Sequence, residues 1–240
     1  MIPAAKSLKD ISWQTILVIF LAIAFGYNEA AVVVYLRDIF HPGGFEFPLK
    51  QFPIESSKLI FVEIGREAAT LIVIASAAWL AGRNLRQRAA YFMIIFAVWD
   101  IFYYVFLKVI LGWPATMMDW DILFLIPLIW AGPVAAPIAV SGAMIVLAGV
   151  ILYRDFKDRP MKITIWDTAG FGIAGLIIII SFCIAGKYTT HPAYYEHFSW
   201  ALFCLGMICT IARFAKRYIK NPRINPQRSW GLTDKEKKII

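Results

Sequence analysis

The chain has 240 residues, 60% of them hydrophobic and 17% charged, with a mean hydropathy of +0.66 and a formal net charge of +8. A soluble domain carries about 25% charged residues. Here the apolar excess is gathered in runs of about 20 residues, the length that crosses a hydrocarbon core of about 30 Å. That distribution excludes a soluble globular enzyme. It also excludes a nucleic-acid module, because the basic residues sit in short loops beside apolar runs, where they act as topology determinants.

In chain order, a first span is expected at 12–35, followed by a Pro-, Gly- and Phe-rich loop, HPGGFEFPLKQFP, within 37–56. A second span follows at 57–81, the short loop GRNLRQR, and a third span at 89–112. The stretch WPATMMDWD is turn-forming. The apolar run 122–153 is too long for one untilted span and contains Pro127, Pro133 and Pro137. Proline removes a backbone donor and stops or kinks a helix. The run therefore divides into a short membrane-dipping segment at 122–131 and a fourth span at 134–153, with one long kinked helix as the alternative. The fifth span is expected at 164–185 and the sixth at 198–218. The fold class is thus an all-α integral membrane protein, a bundle of about six transmembrane helices in one domain, 1–218, with a basic tail at 219–240. Ala22-Ile23-Ala24 resembles a signal-peptidase site, but the apolar run continues past it, and an uncleaved first helix is expected.

The basic residues orient the bundle. Lys6 and Lys9, Arg83, Arg86 and Arg88, then Arg154, Lys157, Arg159 and Lys162 fall on one side. The C-terminal end adds Arg213, Lys216, Arg217, Lys220, Arg223, Arg228, Lys235, Lys237 and Lys238, for 18 of the 24 Lys and Arg. The positive-inside rule places both termini in the cytoplasm of a multi-pass cell-membrane protein.

Ionisable residues within a bilayer cost roughly 2.5–3.5 kcal/mol each and so mark partners or function. The first span carries Tyr27, Asn28 and Glu29, with Arg37 just beyond it. Glu63, Arg66, Glu67 and Thr70 recur three or four residues apart, on one face of the second span. Asp100, Tyr103, Tyr104 and Lys108 do the same on the third. Depth along the helices brings Glu29, Glu63, Arg66, Glu67, Asp100, Tyr103 and Tyr104 toward one outer-half region, with Lys108 and Trp130 expected in its wall. The carboxylates there exceed what Arg66 alone neutralises.

Other residues point to less. Cys183, Cys204 and Cys209 match no metal or redox spacing and read as small packing residues. Trp13, Trp113, Trp120, Trp166 and Trp200 fall near span ends, where indoles anchor at the interface. His41, His191 and His197 lie in outer loops or at a helix end, so neither haem nor another metal is expected. A surface ion site with Asp119 and Asp121 is the one unspecific possibility there. No cofactor is identified, and no P-loop, G-x-S-x-G, HExxH or dinucleotide fingerprint occurs.

The expectation is an outward-facing intramembrane site for a small ligand, ion or proton. It would belong to a small transporter or channel, or to a membrane subunit of a larger complex. Its partners would be the lipid bilayer and other membrane subunits, and no nucleic acid. Two alternatives stand beside it: an embedded enzyme acting on a lipid or isoprenoid, with Glu67 or Asp100 as general base, and an assembly subunit whose charges pair only internally.

Overall fold

The computed structural model describes residues 8–41, 43–49, 57–157, 160–161 and 163–220. The basic tail expected at 219–240 therefore lies almost wholly outside the described residues. Among the described residues six long helices form the fold: α1 (Leu8–Phe40), α2 (Ser57–Ala81), α3 (Leu85–Leu111), α4 (Ala135–Phe156), α5 (Ile165–Gly186) and α6 (Trp200–Lys220). A β-hairpin, β1 (Trp120–Phe124) and β2 (Trp130–Pro133), stands between α3 and α4, and a short 3-10 turn, Tyr194–His197, precedes α6. All but α2 meet the length and hydropathy of a membrane span. α2 has the length, 25 residues, and carries Glu63, Arg66 and Glu67 among its apolar ones. Side chains such as Leu80 (85% exposed) and Val109 (77%) face outward, as they do where lipid is the solvent. This is a multi-pass membrane bundle.

Local chemistry sets the helix ends. The Asn84 side chain accepts from the Gln87 N–H at 3.0 Å and starts α3 four residues earlier than its apolar run. Gly112, at φ 70°, ends α3 in the left-handed conformation that glycine adopts freely. Thr164 and Asp167 form a reciprocal capping box at the start of α5. α1 runs five residues past the sequence expectation, to Phe40. Its last turn presents Arg37 to the hairpin.

Hydrogen bonds at the ends fix the helix directions. Gln14, near the start of α1, donates to the carbonyl of Ala81 at the end of α2. Asn84 and Arg86, at the start of α3, meet Asp155 at the end of α4, at 3.0 and 3.1 Å. Arg217 of α6 meets Asp167 of α5 at 2.7 Å. Each of these pairs is antiparallel. α3 is the hub and packs against α1, α2 and α4. Ala22, Ile74, Tyr91, Ile95 and Trp99 are central to that core. α5 packs mainly on α6 and β2, around a second core of Trp120, Phe182, Phe198 and Phe203.

The segment before α4 dips into the bundle as a two-stranded hairpin, a form that the sequence reading did not anticipate. The strands are antiparallel, pairing Trp120 with Pro133, Asp121 with Gly132, Ile122 with Ala131 and Phe124 with Trp130, with an irregularity between Ile122 and Phe124. Its depth is fixed at the tip, where the Leu125 N–H meets Glu67. Glu67 lies ten residues into α2, about 15 Å along the axis. Pro133 closes β2 and Pro137 sits in the first turn of α4, where its missing N–H costs nothing. The hairpin seats closely on α5. A side chain at Gly186 would collide with the backbone carbonyl of Ile129, and one at Gly132 would press on Phe182 and Phe198.

Gly186→Ala should therefore push the hairpin off α5 and cost roughly 1–3 kcal/mol, as overpacking does. Gly149→Ala, at a position with open space around it, should be neutral or slightly stabilising. Thermal unfolding midpoints of the two proteins in one mild detergent compare them. Equal midpoints would show that this hairpin contact is not tight.

Candidate functional site

Beneath the hairpin lies a cavity of about 570 Å³. All six long elements except α6 contribute to its wall. It runs from Arg37, His41 and Phe45 at the hairpin end down to Phe92 on α3, and across to Phe182 on α5. Of the residues singled out from sequence, Glu29, Glu63, Arg66, Glu67, Asp100, Tyr103, Tyr104 and Trp130 all line it. Lys108 does not. Its ammonium donates to the carbonyls of Gly112 and Pro114, at 3.1 and 2.7 Å, and closes the end of α3.

Two arginines organise the charges. Arg66 of α2 bonds Glu63, one turn away, at 2.9 Å and reaches across to Glu29 of α1. That bridge ties two helices that otherwise touch little. Arg37 of α1 donates to Asp121 of β1 at 3.1 Å, and both side chains are more than nine-tenths buried. The Tyr103 hydroxyl donates to the other Asp121 oxygen, also at 3.1 Å. The Arg37 guanidinium lies between two rings, 4.0 Å from the Phe45 centroid and 3.8 Å from that of Trp113. Cation–π attraction of this kind is strongest when the cation is desolvated. Burial and the neighbouring Arg37 charge push the pKa of His41 below its ordinary value.

Two acids on the wall are held by neutral donors. Both Glu67 oxygens accept from the Leu125 N–H at 2.9 Å. Asp100 accepts from the Ser141 hydroxyl of α4 at 2.8 Å. Both residues are more than nine-tenths buried, and among the described residues neither forms an ion pair. Among the described residues that line the cavity, the acids Glu29, Glu63, Glu67, Asp100 and Asp121 outnumber the cations Arg37 and Arg66.

The rest of the wall is apolar and largely aromatic. Phe124 of the hairpin makes ring contacts with Phe96, Trp99 and Trp130, at 6.4, 6.2 and 5.4 Å, and Trp130 stacks on Phe182 at 6.3 Å. Among the described residues four buried polar atoms on the wall have no hydrogen-bond partner: His41 Nε2, Trp99 Nε1, Tyr104 Oη and Trp130 Nε1. The Tyr104 hydroxyl faces Asp121 without reaching hydrogen-bond geometry.

Sequence reasoning missed the Arg37–Asp121 pair. Asp121 was expected at the surface near Asp119, but the strand turns it inward. Asp119 instead caps a turn, accepting from the Ala115 N–H and the Thr116 hydroxyl at 2.7 Å. The signal present was the β-favouring composition of Trp120, Ile122 and Phe124 around Asp121. The expected interfacial tryptophans also divide: Trp13 and Trp166 are exposed, whereas Trp120 is buried in the second core and Trp113 covers Arg37.

Fold and site together define a multi-pass membrane protein whose helices pair charge internally around a cavity. No family model, curated protein or solved structure matches the chain, so the reading of the site rests on its own chemistry.

The Arg37–Asp121 pair carries a measurable expectation. Arg37→Met leaves a buried carboxylate without its cation, at a cost of roughly 3–5 kcal/mol. The double replacement Arg37→Met with Asp121→Asn should recover most of that loss, because neutral substitutes often match a buried ion pair. Thermal unfolding of the two variants measures the difference. A double variant as unstable as the single one would show that the stacking, not the charge pair, holds this corner.

Proposed function

We propose that the cavity is a binding site for a small cation or proton-bearing ligand. The protein then works as a small transporter or channel, or as a membrane subunit that passes the ligand to a partner. The hairpin face looks outward and both termini lie in the cytoplasm. The observation that carries this reading is the pair of buried, uncompensated carboxylates, Glu67 and Asp100, in the wall of one cavity. A purely structural charge network would pair them, as the arginines pair Glu29, Glu63 and Asp121. Buried charge left without a partner is expensive, and binding sites are where proteins retain such costs. The orientation follows from the basic residues gathered at the ends opposite the hairpin.

A second reading, an embedded enzyme acting on a lipid or isoprenoid, is favoured by the aromatic and aliphatic character of most of the wall. Glu67 or Asp100 would then serve as general base. A changed lipid product, rather than a bound or moved cation, would mark that case.

Isosteric amides test the main reading. Glu67→Gln and Asp100→Asn keep an oxygen for the Leu125 N–H and the Ser141 hydroxyl while removing the charge. In ligand-free protein each should raise the thermal midpoint by about 2–4 °C per kcal/mol of relieved charge burial. Each should also abolish the retention of any cationic molecule released from the wild type in native mass spectrometry. Midpoints that fall in both variants, with an unchanged spectrum, would make these carboxylates structural.

A further inference from the structure

The same walls restrict the chemistry of the ligand, on the reading just given that the cavity binds one. We propose that the ligand is an apolar organic cation, an alkyl- or aryl-substituted ammonium. Its charge is held by Glu67 and Asp100 and its body by the aromatic wall.

Three observations narrow the class. A metal ion needs several oxygen ligands converging on one point. Among the described residues no group of three or more His, Cys, Asp or Glu side chains is placed to hold one. A proton alone needs no chamber, yet this one has about 570 Å³, within the range of about 300–1,000 Å³ that small molecules occupy. An anion is opposed by the surplus of carboxylates.

The arrangement of the wall agrees with an apolar cation. Asp100 stands one turn beyond Phe96 on α3. Glu67 holds the N–H of Leu125, the residue after Phe124. The two carboxylates line the same cavity as the ring cluster of Phe96, Trp99, Phe124 and Trp130. The mouth of the cavity already shows this mode of recognition in the protein's own side chains. There an organic cation, the Arg37 guanidinium, lies between Phe45 and Trp113 with a carboxylate 3.1 Å away. Glu67 and Asp100 repeat the carboxylate beside the rings, and among the described residues neither forms an ion pair.

Tetraphenylphosphonium and tetraphenylborate share a shape and differ in the sign of charge, which makes them suitable probes. The full chain in lipid nanodiscs is dialysed to equilibrium against each, with empty nanodiscs as the partition baseline. Wild-type protein should take up the phosphonium saturably, about one per chain. Glu67→Gln with Asp100→Asn should weaken that uptake by at least about tenfold, and the borate should only partition as it does into empty discs. If the double variant unfolds, the two single variants serve in its place. Phosphonium uptake no greater than the baseline, or equal in wild type and variants, overturns the proposal. Sodium-ion and proton titrations of the same samples separate the two readings. If these still distinguish wild type from variant while the phosphonium does not bind, the cation class is wrong and the site stands. If no probe distinguishes them, both fall.

Discussion

A backbone N–H or C=O carried into hydrocarbon without a partner costs several kcal/mol, so non-helical chain at membrane depth survives only where protein surrounds it. The β1–β2 hairpin meets that condition in three ways. Its strands satisfy each other along the ladder. Its base is tied by Val134 N–H to Asp119 and Ala135 N–H to Met117, at 2.9 and 2.8 Å. Its tip gives the Leu125 N–H to Glu67. The last bond requires an acceptor deep in α2, where an apolar helix would have none. The carboxylate of Glu67 is thus a structural partner of the hairpin and a charge in the cavity at once. The hairpin residues Asp121, Ile122, Leu123, Phe124, Leu125 and Trp130 line one side of the cavity.

The charges of this molecule divide by position. At the end opposite the hairpin, Asp155 is met by Asn84, Arg86 and Gln87, and Asp167 by Arg217 and Thr164. Those clusters sit at helix ends, where donors from both partners converge and water is near. They clamp α3 to α4 and α5 to α6. On the hairpin side the donors are fewer and the acids more numerous, so satisfaction is partial. Arg66 and Arg37 meet three acids, and single neutral donors hold the other two. The contrast argues that the protein can build complete charge networks and does not do so around the cavity.

The spans were legible in the sequence because lipid imposes a length and a composition that no soluble core demands. The facing of Glu63, Arg66 and Glu67 was legible because helical period places residues three and four apart on one stripe. Glu29, Asp100 and the two tyrosines followed from depth along neighbouring helices. Lys108 was misplaced because a long amine near a helix end finds the terminal carbonyls before it finds a distant carboxylate. The hairpin was not legible. The run from Ile122 to Trp130 is short and uniformly apolar, and periodicity cannot separate strand from helix in such a run. Its prolines announced a break without giving the form of the chain between breaks. Once the strand form was missed, Asp121 could not be turned inward, and Arg37 lost its partner.

The unmet polar atoms on the wall close the argument from another side. Indole and phenol groups buried this deeply ordinarily find a partner. Here Trp99, Trp130 and Tyr104 do not, and all three lie against the hairpin or its neighbours. Acids without an ion pair and indoles without an acceptor thus line one lumen among the described residues. A bound cation would neutralise the first directly. The indole N–H groups of Trp99 and Trp130 would be satisfied by any acceptor that enters the lumen, water or ligand.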